Sequence, residues 1–249
     1  MKMRNLIKKV LKKIYDLIKG RTDLKVYTSN RYIKGNGIEI GALHNPLNYS
    51  ASNANVKYVD RLPVEELRKH YPELNSNNLV KVDIIDDGEI LNTIDDNSLD
   101  FIIASHMLEH CKNPIKTIHS HINKLKQGGI IYYVIPDKRY SFDKERELTT
   151  FEHLIDDYFN KNDHFPHYLE WCRYCNNISD ESEIEKQAKH LMKMGYSIHF
   201  HTWTANSFFD FINKTNSFNR KINLYDVEFF AKNNTEVIVI LKKIKKSNC

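Results

Sequence analysis

The chain has 249 residues, of which 41% are hydrophobic and 28% are charged, values that predict an ordinary soluble globular protein. This length is enough for one α/β domain with a sizeable core, or at most for two small domains. Its formal net charge of +5 is concentrated in residues 1–21, which contain eight basic residues and one acidic residue, so the remainder is mildly acidic. That distribution excludes a basic nucleic-acid-binding face, and the 4 cysteines are too few for a disulfide framework. We therefore expect a cytoplasmic protein with reduced cysteines and no nucleic-acid partner.

Apolar residues recur at helical spacing within residues 1–19, and lysines occupy the opposite face. Lysine interrupts this segment too often for it to span a bilayer. Two alternatives stay open: residues 1–20 lie on the anionic inner face of a membrane, or the helix packs on the domain with its lysines in water. We predict a basic amphipathic helix over residues 1–21 and one domain over residues 22–249.

Between residues 37 and 136, apolar segments alternate with helical ones. The pattern predicts strands at 37–40, 56–60, 79–84, 99–106 and 130–136, and helices at 63–71 and 113–129, the second closed by Gly128 and Gly129. Such alternation predicts right-handed crossovers and a parallel sheet. Ligands of these sheets bind beyond the carboxyl ends of the strands, where the sequence has Gly41, Asp60, Asp83, Ser105, His106 and Asp137.

The stretch 138–203 breaks this alternation and is rich in aromatic residues, histidine and charge. A long excursion of this kind in a compact domain is usually functional, so we predict an inserted helical lid over the strand ends. Residues 204–214 are again predicted to be helical. Residues 222–244 are predicted to form two strands joined at Asn233 and Asn234, as a hairpin.

The loop after the first predicted strand has the sequence GIEIGALHNP, residues 37–46, and contains one glycine where a dinucleotide-binding loop has three. A single glycine is poorly suited to wrap a pyrophosphate at a helix N-terminus, which argues against NAD and FAD. An acid at the end of the next strand, Asp60, suits a ribose. S-Adenosylmethionine carries a ribose without phosphates and meets both conditions.

The motifs GIEIGALHNPL, VKYVD, VDIIDD, NSLDFIIASHMLEHC, LKQGGIIYYVIPDKRYSFD and IHFHTW span most of residues 37–203. In these motifs the chain resembles the class I S-adenosylmethionine-dependent methyltransferases, and within them the branch that accompanies bacterial surface-glycan synthesis, including capsule and lipopolysaccharide. The resemblance implies a Rossmann-like, seven-stranded, mostly parallel sheet with an antiparallel C-terminal hairpin. It also implies S-adenosylmethionine as the cofactor.

The same resemblance implies roles for individual residues at the cofactor. Glu39, Gly41 and Ala42 would lie against its methionine end, Asp60 would hold the ribose, and Ser105 with His106 would line the floor beneath the sulfonium. One acid among Asp83, Asp86 and Asp87 would meet the adenine amino group. The family at large has three spaced glycines and this chain keeps only Gly41, so we expect a rebuilt loop in which His44 and Asn45 contact cofactor or substrate.

Transfer of a methyl group to an alcohol needs a base, and Asp137, His199 and His201 are the candidates. Both histidines would point the same way if IHFHTW were extended. Lys138, Arg139 and Tyr140 follow the fifth strand and suit an anionic acceptor, whereas His110 is expected to be structural. Cys172, Cys175, His199 and His201 are the residue types that bind zinc, and Asp137, Asp143 and a nearby acid are of the type that binds magnesium. The spacing requires neither site, and no metal is predicted.

The predicted function is O-methylation of a sugar or surface-glycan precursor, an acceptor class that rests on the resemblance alone. Two alternatives remain. In the first, a methyltransferase acts on a small metabolite, a lipid or an amine. In the second, the chain is a catalytically idle Rossmann-like scaffold at a membrane.

Overall fold

The computed structural model describes residues 24–49, 54–218 and 224–244. The predicted amphipathic helix over residues 1–21 lies outside the described residues. Strands are Gly35–Ile40 (β1), Ala54–Asp60 (β2), Ile84–Ile85 (β3), Leu99–Ser105 (β4), Leu125–Pro136 (β5), Tyr225–Asn233 (β6) and Glu236–Lys243 (β7). Helices are Leu24–Tyr32 (α1), Val64–His70 (α2), Pro114–Lys124 (α3), Phe151–Tyr158 (α4), Phe165–Tyr174 (α5), Glu181–Lys193 (α6) and Ala205–Phe218 (α7).

All seven strands belong to one sheet in the order β3-β2-β1-β4-β5-β7-β6. The first five strands are parallel, and β7 pairs antiparallel with both β5 and β6. The hairpin between β6 and β7 turns at Asn234, which has a φ of +56°. The predicted Rossmann-like sheet with an antiparallel C-terminal hairpin is therefore confirmed.

The centre of the sheet is apolar on both faces, which is why its strands lack an alternating pattern. Phe101, Ile102, Ile103 and Ala104 of β4 have no solvent exposure. Ile102 and Ala104 pack into one hydrophobic cluster, while Phe101 and Ile103 pack into a second. Burial of each large side chain contributes roughly 1.5–3 kcal/mol, so this strand anchors the fold.

Backbone hydrogen bonds explain two of the differences in length between predicted and observed elements. Of the predicted strand 79–84, only Ile84 pairs as a strand, as the first residue of β3 (Ile84–Ile85). The earlier part is a loop, in which Val80 donates its N–H to the carbonyl oxygen of Leu43. The helix predicted over 113–129 ends at Lys124. Leu125 already pairs with Leu99, so the Gly128–Gly129 pair lies at an irregularity of β5 and does not close a helix.

The segment 138–203, which we call the lid, is helical as predicted and contains α4, α5 and α6. The lid has a hydrophobic cluster of its own, formed by Tyr168, Cys172, Ile184, Ala188, Leu191, Ile198 and Phe200. Because these residues pack on one another, α5 and α6 form a helical pair beside the strand ends. Within the described ranges, every helix is too short or too polar to cross a bilayer.

Candidate active site

A cavity of about 730 Å³ lies beyond the carboxyl ends of the parallel strands. Gly41 follows β1, Asp60 ends β2 and His106 follows β4, and all three line the cavity. The lid contributes the lining residues Tyr168, Gly195, Tyr196, Ser197 and Phe200. The volume is within the range of small-molecule sites, and the position is where open α/β sheets bind ligands.

The loop after β1 is shaped by two residues with positive φ, Gly41 (+65°) and Leu43 (+48°). A Cβ atom at Gly41 would meet nothing within 4 Å, so the backbone conformation and not crowding favours glycine here. Asn45 donates its N–H to the carbonyl oxygen of Ala42 (2.9 Å), which closes a tight turn. One glycine is therefore enough to build an ordered loop at the cavity.

Glu39 holds this loop from inside the protein. Its side chain has no solvent exposure, and its Oε1 atom accepts the N–H of Leu47 at 2.7 Å. The Oε2 atom has no hydrogen-bond partner within the part of the chain that the structure describes. Burial raises the pKa of Glu39 to about 7, against the opposing effect of the Leu47 hydrogen bond.

The acids after β2 and β3 differ in how many of their oxygens are already bonded. Asp60 accepts the N–H of Arg61 at 2.7 Å, and burial raises its pKa. Both oxygens of Asp86 are used by its own loop, which donates from the N–H of Asp87 and from the N–H and hydroxyl of Thr93. Burial would raise the pKa of Asp86, but these hydrogen bonds lower it below its ordinary value.

His106 lies at the cavity wall between two carboxylates. It has a φ of +52°, an uncommon conformation for a residue with a side chain. Its Nε2 atom lies 2.7 Å from Oε1 of Glu236, and its Nδ1 atom lies 3.5 Å from Oε1 of Glu109. Burial opposes protonation, but the two carboxylates prevail and raise the pKa of His106 to about 9.

His110 provides a neutral imidazole at the same cavity. Burial lowers its pKa to about 4, so the ring is uncharged near neutral pH. The Nδ1 atom is 2.9 Å from the carbonyl oxygen of Ile198, which can only accept, so Nδ1 carries the proton and Nε2 has the lone pair. His199 packs edge-on against this ring at a centroid distance of 4.5 Å, and its own Nδ1 atom lies 2.7 Å from Oδ2 of Asp143.

A family model described as a methyltransferase domain matches residues 34–190, which is more than half of the chain. The chain belongs to this methyltransferase family. Its cofactor is S-adenosylmethionine. None of the curated proteins matches the chain.

Several solved structures resemble this methyltransferase at low sequence identity. A Thermotoga maritima SAM-dependent methyltransferase, described as a possible histamine N-methyltransferase, is 12% identical with a TM-score of 0.45, and the match covers 96% of this chain and 97% of that one. A Methanosarcina mazei SAM-dependent methyltransferase is 15% identical with a TM-score of 0.45, over 88% of this chain and 96% of that one. A Pyrococcus horikoshii protein is 14% identical with a TM-score of 0.45, over 84% and 82%.

The cavity of this methyltransferase fits S-adenosylmethionine in chemistry as well as in volume. Four carboxylate residues, Asp60, Asp86, Asp87 and Glu89, are among the lining residues, and acidic side chains suit a cationic sulfonium ligand. The open space around Gly41 lets a ligand approach the backbone closely. Five of the predicted cofactor residues line this one cavity: Gly41, Asp60, Asp86, Asp87 and His106.

The other predicted cofactor residues lie outside the cavity lining. Glu39 reaches the site only through the loop that it holds. Asp83 accepts the N–H of Tyr58 at 3.1 Å, which fixes the edge of β2. Ala42 is buried in the loop, and Ser105 ends β4, where it pairs with Val134.

The residues predicted to bind the acceptor form hydrogen bonds with other residues of the protein. His44 and Asn45 contact each other, with Nε2 and Nδ2 3.1 Å apart. The Nζ atom of Lys138 donates a hydrogen bond to the carbonyl oxygen of Lys144, and the hydroxyl of Tyr140 accepts a hydrogen bond from Lys232. Arg139 donates to both oxygens of Asp137, at 2.9 and 2.6 Å.

The three predicted bases are separated by the fold. Asp137 has no exposure and also accepts the N–H of Ala205, so it holds the start of α7 instead of facing the cavity. His199 lies behind His110. His201 is 1% exposed and packs against the rings of His153 and Trp203. The two histidines of IHFHTW therefore join different groups of side chains.

Sequence reasoning missed several cavity residues, and His110 was expected to be structural. Tyr71 and Arg61 line the cavity, with the guanidinium 3.2 Å from the tyrosine hydroxyl. Tyr168 donates its hydroxyl to the carbonyl oxygen of Tyr196 at 3.1 Å, and both residues belong to the lid wall. The aromatic richness of the lid was the available signal, but it does not specify which rings face inward.

Proposed function

We propose that this methyltransferase transfers the methyl group of S-adenosylmethionine to an oxygen of a sugar or surface-glycan precursor. The observation that carries the proposal is the single cavity shared by strand-end residues and the lid, with acids from β2 and the loop after β3, and tyrosines from the lid. Tyrosine offers a flat apolar ring and a hydroxyl, a combination that suits the apolar face and the hydroxyl groups of a sugar.

On the donor side, Asp60 accepts hydrogen bonds from the ribose hydroxyls, and the backbone at Gly41 lies along the methionine part. Of the candidate acids for the adenine amino group we favour Asp87. Both oxygens of Asp86 already accept from its own loop, and Asp83 is turned toward Tyr58, whereas Asp87 lines the cavity and uses its Oδ1 atom for the N–H of Glu89.

When bound, S-adenosylmethionine supplies an electrophilic methyl group on a cationic sulfur. The task of the protein is then to align the acceptor oxygen and to receive its proton. His110 is our candidate for the base, because it lines the cavity and its proton-free Nε2 atom is the one not fixed by Ile198. His199, held by Asp143, would position that ring from behind.

The donor half of the proposal is tested by titration calorimetry with S-adenosylmethionine. Asp60→Ala removes hydrogen bonds to a charged acceptor, each worth about 1.5–3 kcal/mol, so we expect binding to weaken at least tenfold. Asp95→Ala changes an exposed aspartate outside the cavity lining and serves as the matched control. An unchanged affinity in Asp60→Ala would mean that the ribose lies elsewhere.

The acceptor half is tested with labelled S-adenosylmethionine and a panel of nucleotide sugars, glycan precursors, amines and lipids. Methylation confined to hydroxyl-bearing sugars supports the proposal, and methylation of amines or lipids alone contradicts it. His110→Ala should lower kcat by about 10²–10⁴-fold, the usual range for a general base, with the cofactor affinity unchanged. Full turnover in that variant would remove His110 from this role.

A further inference from the structure

A second cluster of ionisable side chains lies where α4 meets the IHFHTW segment of the lid, outside the cavity lining. His153 and Asp157 are four residues apart on α4, so their side chains share one helix face. His201 approaches the same point from the segment before α7. One ring nitrogen of each histidine and a carboxylate oxygen of Asp157 all lie within 4.8 Å of one another.

Three polar atoms of this cluster converge at distances longer than an ordinary hydrogen bond. Oδ2 of Asp157 lies 3.3 Å from Nε2 of His153 and 3.7 Å from Nε2 of His201. These three atoms are buried and have no hydrogen-bond partner in residues 24–49, 54–218 and 224–244. Asp157 and His201 are 3% and 1% exposed, and orphaned polar groups at that depth are costly unless something binds them.

The separations match those of atoms that share a metal ion. Zinc binds histidine nitrogen and carboxylate oxygen at about 2.0–2.1 Å, which puts neighbouring ligand atoms of a tetrahedral site about 3.3–3.4 Å apart. Hydrogen-bonded N–H···O atoms are instead aligned and mostly 2.7–3.2 Å apart. The separations of 3.3 and 3.7 Å are therefore closer to a coordination sphere than to an ion pair with an aligned hydrogen bond.

Neighbouring residues hold the candidate ligands in place. Oδ1, the other oxygen of the Asp157 carboxylate, accepts a hydrogen bond from the side-chain amide of Asn162 at 2.7 Å. The ring of His167 packs edge-on against both histidines, with its centroid 5.0 Å from that of His153 and 5.8 Å from that of His201. Ligands fixed by hydrogen bonds of this kind are typical of protein metal sites.

We propose that His153, Asp157 and His201 bind one Zn²⁺ ion. A donor set rich in imidazole with one carboxylate favours zinc over the oxygen-seeking cations magnesium and calcium. The ion neutralises the buried carboxylate and links α4 to the segment that carries His199 to the active site. Its role is structural, because the cluster is buried and does not line the cavity.

The test is a titration of the metal-stripped full chain with Co²⁺, which takes the place of Zn²⁺ and has visible absorption bands in a tetrahedral site. We expect one Co²⁺ per chain, displaced by one Zn²⁺, and a lower Tm after chelation. Asp157→Asn and His201→Gln should abolish the stoichiometric signal, and Asn162→Ala should weaken binding by about 10–100-fold. His190→Ala, on the exposed face of α6, is the control and should bind normally.

Among the described residues, Glu109, His110 and His199 form a second group of side chains that could hold a metal ion. The variant Glu109→Gln is therefore titrated as well, to show which group binds Co²⁺. Loss of the signal in Glu109→Gln with retention in Asp157→Asn would overturn the assignment. Absence of tetrahedral Co²⁺ bands in the wild type would also overturn it, whether or not the variants fold.

Discussion

Glu39 allows a direct test of how the rebuilt loop is held. Its carboxyl group is fully buried and accepts one hydrogen bond, from the N–H of Leu47. Among residues 24–49, 54–218 and 224–244, no cationic side chain forms an ion pair with it. Glu39→Gln keeps the shape and the accepting oxygen of the side chain but removes the ionisable group. The variant therefore isolates the free energy of burying this carboxyl group as a function of pH.

Burial raises the pKa of Glu39 from 4.5 to about 7. At about 1.4 kcal/mol per unit, ionisation of the folded protein costs about 3 kcal/mol more than ionisation of the unfolded chain. Below pH 4.5 the carboxyl group of Glu39 is protonated in both the folded and the unfolded state, and its contribution to the free energy of unfolding is fully present. As the pH rises toward 7 the unfolded chain releases its proton first, so stability is lost until the folded carboxyl group also ionises.

The assay is urea unfolding of both proteins, without cofactor, between about pH 4 and pH 8. The free energy of unfolding of Glu39→Gln should rise relative to the wild type by about 3 kcal/mol over this interval. The exposed Glu65→Gln on α2 is the control and should give a constant difference. A constant difference in Glu39→Gln would show that the carboxyl group is hydrated and would refute the reasoning.

Two further predictions concern charged side chains. Glu236→Gln removes a carboxylate 2.7 Å from His106, so the pKa of His106 should fall by about one unit or more, as followed by NMR of the ring; an unchanged titration would mean that Glu236 does not set its charge. Arg146 is 2% exposed and pairs with Asp143 and Glu170 at 2.8 Å. Arg146→Met should cost about 3–5 kcal/mol in urea unfolding, because the buried Oδ1 atom of Asp143 loses its cation while His199 and Ser141 bond only to Oδ2. A loss below about 1 kcal/mol would contradict this.

The sequence was most informative where burial on both faces of the sheet constrains every residue. The strand predicted over 99–106 is observed over Leu99–Ser105, because a central parallel strand must be apolar throughout. The edge strand β3 was predicted too long for the opposite reason. Its residues have one neighbouring strand, and loop hydrogen bonds such as Val80 to Leu43 compete for the same backbone groups.

The sequence predicts which residues follow the carboxyl ends of the strands. It does not predict which of their side chains face the cavity and which bond to other residues. Asp137 follows β5 as predicted, yet Arg139, two residues later, takes both of its oxygens. His110 lines the cavity because Phe200 donates its N–H to the carbonyl oxygen of Glu109, a bond between segments about ninety residues apart. Hydrogen bonds of that range leave no periodic trace in a sequence.

The position of β7 inside the sheet has a consequence for how the protein is made. Although β7 is the last strand along the described chain, it lies between β5 and β6. Until residues 236–243 have left the ribosome, β5 keeps an open row of backbone donors and acceptors in one of the most apolar parts of the molecule. Such an open strand edge invites pairing with other chains, so the nascent protein is expected to be most prone to aggregation just before this segment leaves the ribosome.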